Sequence, residues 1–170
     1  MKLVSLVKQH SPHSCGMAAL AMILGLQHSA DVASVIQRST EDKTDDPEVE
    51  YIGVIEQELS LCLFERGISN YLWWNIGSCF PEDSWLRRHG AALYWPTEAD
   101  MLQTIRTEIA VLGVPSINIR GAGHWLVVAD GEVFDPSTKK TYRQIDEIET
   151  VQQAVLVDRA SLAAYREKTA

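Results

Sequence analysis

Four residues whose types can together form an activated thiol occur in two short segments far apart in the chain. Gln9 and Cys15 lie in the segment QHSPHSCGMAALAMILG, and His124 and Asp135 lie in GHWLVVADGEVFDPS. A thiol paired with an imidazole, which a carboxylate in turn orients, is the set that nucleophilic attack on a carbonyl carbon needs. The sequence therefore predicts a thiolate–imidazolium nucleophile.

Cys15 is predicted to begin a buried helix. Ser14 is a favoured N-cap residue, and residues 15–26 are helix-forming and almost free of polar groups. The unpaired amides at a helix N-terminus favour an anion, and therefore the thiolate form of a cysteine. Gly16 has no side chain, so we expect a substrate backbone to approach the sulfur at this point.

His124 and Asp135 are predicted to meet across a β-hairpin. A strand follows His124, an Asp-Gly turn lies at 130–131, and a returning strand ends at Asp135. In that register Asp135 is the diagonal neighbour of His124, and such neighbours lie roughly 7–8 Å apart, within reach of a carboxylate–imidazole hydrogen bond. We also expect Gly123 to leave room for a substrate backbone and Trp125 to contact the substrate.

Gln9 is a candidate for binding the oxyanion. It lies six positions before Cys15, and the intervening Ser11-Pro12 pair interrupts any helix, so Gln9 can fold back toward the helix end. The Gln9 side-chain amide and the Cys15 backbone amide are then expected to hold the oxygen on which negative charge develops.

The other cysteines and histidines are interpreted as ordinary residues. His10 and His13 form an H-x2-H-x-C pattern with Cys15, but no CxxC pair or HExxH motif accompanies it, so no metal site is expected. Cys62 and Cys79 have no histidine nearby in the sequence that would activate them. Tryptophan usually fills cores, and Trp95 and Trp125 are the two candidates for a cleft.

The two segments resemble those of papain-like cysteine peptidases. A glutamine six residues before a Cys-Gly that starts an apolar helix, and a late GHW strand followed by Asp-Pro, are closest to the C39-like branch, the bacteriocin-leader or double-glycine peptidase type. The resemblance implies an α+β, papain-like fold in which an N-terminal helical part with a central catalytic helix packs on a C-terminal antiparallel sheet. It also implies a single domain over residues 1–170.

The resemblance assigns a role to each residue by position: nucleophile for Cys15, base for His124, orienting carboxylate for Asp135 and oxyanion-hole amide for Gln9. Ser14 stands where C39 peptidases usually carry aspartate, and the stretch from His124 to Asp135 is shorter than theirs. The double-glycine leader specificity is therefore not carried over.

The expected activity is hydrolysis of a peptide or isopeptide bond through a thioester on Cys15, with a peptide or protein substrate and no cofactor. Two alternatives remain open. The same triad can carry out acyl or peptidyl transfer, as in phytochelatin-synthase-like relatives, or deamidation. A papain-like scaffold can also act as a protein-binding module.

Composition limits the expected partners and compartment. The 170-residue chain is 46% hydrophobic and has 15 basic against 23 acidic residues, a net charge of −8, which argues against nucleic acid or an anionic membrane as the main partner. The acidic run at 41–50 is interpreted as a solvated loop. No signal-peptide pattern or membrane-spanning stretch is recognised, and three cysteines without a framework spacing fit the reducing cytoplasm.

Further elements follow from hydrophobic periodicity and turn residues. Helices are expected at 29–37, 54–66, 97–112 with Gly113 ending it, and 161–168. Strands are expected at 70–76, 116–119, 125–129, 132–135, 141–142 and 153–157.

Overall fold

The computed structural model describes residues 3–32, 54–75, 88 and 96–169. These residues form an α+β fold, as predicted, with four α-helices and one five-stranded sheet. The helices are α1 (Cys15–Leu24), α2 (Glu56–Phe64), α3 (Glu98–Thr104) and α4 (Arg159–Thr169). The strands are β1 (Asn70–Trp74), β2 (Ile109–Pro115), β3 (Gly123–Ala129), β4 (Glu132–Phe134) and β5 (Gln153–Val157). The predictions made for residues 33–37, 41–50, Ile76, Cys79 and Trp95 lie outside the described residues.

The sheet is antiparallel throughout, with strand order β1-β5-β2-β3-β4. Strand β2 lies at its centre, and Ile109 to Val114 are buried because both faces of the sheet are covered. One face carries Val111 and Val127 against α1 and α2. The other carries Leu112 and Leu126 against α3 and the loop that follows β4. No helix of the described ranges is long and apolar enough to cross a membrane.

Helix α1 is buried along its whole length, as its apolar sequence predicts. It ends at Leu24 rather than at the predicted residue 26, because Gly25 adopts the left-handed conformation (φ 75°) and its N–H bonds to the Ala21 carbonyl oxygen. Ser14 is the N-cap residue, as predicted. Its side chain makes no hydrogen bond to the helix, however, and its Oγ instead accepts from the N–H groups of His10 and Ser11.

The prediction of one helix at 97–112 is wrong for its second half. Thr97 caps α3, as predicted, with its Oγ1 accepting from the Asp100 N–H, but the helix ends at Thr104 and residues 109–115 form β2. The apolar residues from Ile109 onward form a continuous run, which suits a strand buried on both faces as well as a buried helix. Tertiary pairing with β3 and β5 decides between the two.

Two predicted strands are not strands. Residues 116–119 belong to the loop between β2 and β3, and residues 141–142 to the loop after β4. Ser116 explains the first, because its Oγ accepts from the N–H groups of Asn118 and Ile119 and turns the chain. The second is explained by Tyr142, whose N–H is taken by the Asp135 carboxylate rather than by a neighbouring strand.

Candidate active site

The thiol of Cys15 lies at the first position of α1, where the helix meets β3. Cys15 is 9% exposed, and it lines a cavity together with His124 and Trp125. Since Ser14 turns its hydroxyl back to the preceding loop, the first-turn amides of α1 do not receive the usual side-chain cap. The positive end of the helix is thus directed at the position of the sulfur.

His124 and Asp135 are brought together by the predicted hairpin. Ala129 pairs with Glu132, and Asp130 and Gly131 both have positive φ, as a two-residue turn of this type requires. Strand β4 ends at Phe134, so Asp135 lies just past it. The His124 Nε2 and Asp135 Oδ1 atoms are 2.8 Å apart and both residues are buried.

The Asp135 carboxylate is held by backbone amides as well as by the imidazole. Its Oδ1 accepts from the Ser137 N–H at 2.8 Å, an Asx-turn across Pro136, and its Oδ2 accepts from the Tyr142 N–H at 2.8 Å. Burial alone would raise the pKa of Asp135, but the hydrogen bonds from His124, Ser137 and Tyr142 outweigh it and hold the pKa below its ordinary value of 3.8. Asp135 therefore stays ionised.

The environment of His124 favours the imidazolium. Burial of the ring would lower its pKa, but the hydrogen bond to Asp135, the interaction with the Cys15 side chain and the charges of both groups raise the pKa of His124 to about 9. Because Nε2 bonds to Asp135, the other ring nitrogen, Nδ1, is the one left for the thiol. His124 thus interacts with Cys15 and is hydrogen-bonded to Asp135.

Gln9 and His124 line a common cavity. The Gln9 backbone N–H donates to the Pro136 carbonyl oxygen at 3.0 Å, which fixes the N-terminal segment against the Asp135 loop. Its side-chain Nε2 donates to the Ser11 carbonyl oxygen at 2.9 Å, while its Oε1 is buried without a hydrogen-bond partner among the described residues. That bond uses one of the two amide hydrogens, and the binding of an oxyanion by the other stays a prediction.

Two cavities flank His124. The larger, about 430 Å³, is lined by Cys15, Trp125 and Glu56 among others. The smaller, about 200 Å³, is lined by Gln9, Ser137 and Lys139 among others. His124 and Gly123 line both, so the imidazole stands where the two cavities meet.

The three predicted substrate-binding residues have different surroundings in the structure. A Cβ on Gly16 would lie 2.8 Å from Val54 Cβ and 3.1 Å from Trp125 Cδ1, so its missing side chain serves internal packing. Gly123 is exposed in the cleft. Trp125 lines the larger cavity and donates from Nε1 to the Val54 carbonyl oxygen at 2.8 Å, which connects β3 to the segment before α2.

Sequence reasoning missed the residues that support the triad. Lys8 Nζ donates to the carbonyl oxygens of Asp135 and Ser137 at 3.1 and 2.7 Å, and Asn118 Nδ2 donates to Ser137 Oγ at 3.0 Å. The Asp-Pro-Ser turn was a readable signal for the role of Ser137. The contact of Lys8 with Asp135 spans 127 positions and that of Asn118 with Ser137 spans 19, so no local sequence pattern predicts them.

The remaining candidates have other partners. His10 Nδ1 bonds to Ser29 Oγ at 2.8 Å, and no group of three or more potential ligands is placed to hold a metal among the described residues. Cys62 is buried in α2, and burial raises the pKa of its thiol. It is therefore a useful internal comparison for Cys15.

No protein-family model matches this chain, and no curated protein matches it either. Its function therefore has to be inferred from the side-chain geometry.

Proposed function

We propose that this protein is a cysteine hydrolase of the papain-like, C39-like type, which cleaves a peptide or isopeptide bond through a thioester on Cys15. One observation carries the proposal: at the junction of two cavities, the His124 ring is hydrogen-bonded to the buried Asp135 carboxylate and interacts with the Cys15 thiol. An imidazole between a thiol and an ionised carboxylate is the arrangement that activates a thiol nucleophile. Room on both sides of it suits a substrate that extends in both directions from the cleaved bond.

The first half of the reaction forms the thioester. The protonated His124 favours the thiolate on Cys15, which attacks the substrate carbonyl carbon. An S–C bond forms and the carbonyl π electrons move to oxygen, where the Cys15 backbone N–H and the second amide hydrogen of Gln9 stabilise them. The oxyanion then collapses, the C–N bond breaks, and the leaving nitrogen takes the proton from His124.

The second half restores the enzyme. The now neutral His124 accepts a proton from a water molecule as the water oxygen attacks the thioester carbon. The C–S bond breaks, the carboxylic acid product leaves, and Cys15 is again a thiolate beside an imidazolium. Asp135 acts as a positioning residue in both halves, because it holds Nε2 and keeps the opposite ring nitrogen directed at the sulfur.

The test is site-resolved alkylation by iodoacetamide as a function of pH, with the three cysteines separated by peptide mapping. We expect Cys15 to react fast near neutral pH and Cys62 to react slowly, because Cys62 is 4% exposed and its pKa is raised. His124→Ala should slow the alkylation of Cys15 at neutral pH by at least about tenfold, because loss of the imidazolium lowers the fraction of the thiol present as thiolate.

The matched control is His28→Ala, which removes an exposed imidazole that lies past the C-terminal end of α1, whereas Cys15 begins that helix. This variant should alkylate like the wild type. If Cys15 is as slow as Cys62, or if both histidine variants behave alike, the thiolate–imidazolium pair does not exist and the proposed function fails. Urea unfolding of each variant establishes that the comparison is made between folded proteins.

The proposal extends to the fold and the compartment. A helix that presents cysteine to a strand that presents histidine, within an α+β architecture, is what the papain-like resemblance implies. Cys15 and Cys62 are both free thiols. A nucleophilic cysteine persists best in a reducing environment, so we propose that the protein works in the cytoplasm.

A further inference from the structure

The smaller cavity beside His124 is lined by one lysine and by no Asp or Glu. Its lining residues come from the segment before α1, the loop between β2 and β3, the start of β3 and the loop after β4. That last loop begins with Asp135, which does not line the cavity and is hydrogen-bonded to His124. In a chain with 23 acidic and 15 basic residues, a cavity lined by a lysine and no carboxylate departs from the overall composition.

Lys139 is the one lysine or arginine among the residues that line this cavity. The Lys8 ammonium already has hydrogen-bond partners within the protein, because it donates to the carbonyl oxygens of Asp135 and Ser137. The backbone N–H of Lys139 donates to Ser137 Oγ at 3.3 Å, and the same oxygen accepts from Asn118 Nδ2. Lys139 thus lies in the same loop as Asp135, and the Ser137 hydroxyl holds its backbone in place.

The two cavities receive different parts of a substrate. Cys15 lines only the larger of the two, whereas His124 lines both. In the proposed reaction the acyl carbon bonds to Cys15 and the leaving nitrogen takes its proton from His124. The leaving group therefore lies on the far side of His124, in the smaller cavity. The larger cavity, which holds the acyl part, carries a carboxylate, Glu56.

We propose that the smaller cavity binds the leaving-group part of the substrate and that Lys139 selects a carboxylate there. The inference rests on the proposed function and adds a substrate class to it: peptides in which the segment released as an amine carries a carboxylate close to the cleaved bond. That carboxylate belongs either to a free C-terminus or to an Asp or Glu side chain. A lysine among lining residues that include no Asp or Glu attracts both.

The first experiment compares iodoacetate with iodoacetamide, two probes of nearly equal size that differ in charge. The second-order rate constants for Cys15 are measured in wild type, in Lys139→Ala and in the control Lys168→Ala, an exposed lysine in α4. Using the ratio of the two rates cancels any change in the thiol itself. We expect the ratio of iodoacetate to iodoacetamide to fall roughly threefold in Lys139→Ala at low salt, the size of one partly exposed charge pair, and to stay unchanged in Lys168→Ala.

A second experiment distinguishes the two sources of the carboxylate. The protein is incubated with a mixture of peptides, each present as free acid and as C-terminal amide, and with Asp or Asn at the residues beyond the cleaved bond. Products are identified by mass spectrometry. Cleavage confined to free acids identifies the C-terminus as the recognised group, and cleavage that follows Asp identifies the side chain. Equal cleavage of acids, amides, Asp and Asn peptides overturns the inference.

Failure of the inference and failure of the proposed function give different results. If Cys15 is not selectively alkylated by either probe, the nucleophile is absent and the proposed function fails. If Cys15 is selectively alkylated but the ratio is the same in Lys139→Ala and wild type, the function stands and the carboxylate site is wrong. The alkylation ratio decides this even when no peptide of the mixture is cleaved.

Discussion

Asp135→Asn tests the electrostatics of the site most directly, since it removes one charge and keeps the shape of the side chain. The carboxylate accepts three hydrogen bonds of 2.8 Å, from the His124 ring and from the N–H groups of Ser137 and Tyr142. An amide has one oxygen and one NH2 group, so in either orientation its NH2 group meets a backbone N–H. A buried donor left without an acceptor costs about 1–3 kcal/mol.

The variant also loses the charged hydrogen bond to the imidazolium, so we expect the free energy of unfolding at pH 6 to fall by about 3 kcal/mol. In the wild type, the pKa of His124 is raised from 6.5 to about 9. Its contribution to stability is fully present below pH 6.5 and is lost as the pH rises through 9. The difference in stability between wild type and variant should therefore be largest near pH 6 and narrow above pH 9.

Urea unfolding at several pH values measures this difference, and NMR titration of the imidazole protons measures the pKa of His124. In the variant the ring is still buried but has lost the carboxylate, so its pKa should drop by more than one unit, which corresponds to about 1.4 kcal/mol. The control is Asp146→Asn, whose side chain is 72% exposed and pairs with Arg106. It should cost no more than about 1 kcal/mol. The reasoning is refuted if Asp135→Asn costs no more than the control, or if the pKa of His124 stays near 9.

Three further predictions concern packing and capping. Gly16→Ala puts a Cβ 2.8 Å from Val54 Cβ, so we expect urea unfolding to show a loss of about 1–3 kcal/mol; an unchanged stability would contradict the packing role of this glycine. A Cβ added at Gly123 meets nothing nearer than 4.0 Å. In Gly123→Ala the free energy of unfolding should therefore stay within about 0.5 kcal/mol of the wild-type value, while alkylation of Cys15 by a bulky peptide electrophile slows. Equal alkylation rates would contradict a place for Gly123 in the cleft. Thr97→Ala removes the acceptor for the Asp100 N–H and should cost about 1 kcal/mol in the same unfolding assay, whereas no loss would show that the cap is not used.

Local sequence predicts an element well where one signal dominates. The Asp130-Gly131 turn has positive φ at both residues, so the register of the hairpin that carries His124 follows from the turn alone. The start and the burial of α1 follow from its uninterrupted apolar run, whereas Gly25 ends the helix two residues before the predicted position. Prediction fails at residues 109–115, because a continuous apolar run suits both a buried helix and a central strand. Only pairing with β3 and β5 makes it a strand.

The sequence by itself determined the identity of the candidate site: a cysteine at a helix start and a histidine and aspartate on one hairpin, each positioned by local geometry that a few neighbouring residues impose. The tertiary structure decided the rest. It brings Cys15 against His124, holds Asp135 through Lys8, Ser137 and Tyr142, and turns the Ser14 hydroxyl away from the helix. The physical reason is the distance along the chain over which each interaction acts. Turn and helix signals act over a few residues, whereas hydrogen bonds that cross 127 positions, and the two cavities between loops, exist only after the sheet and α1 have packed together.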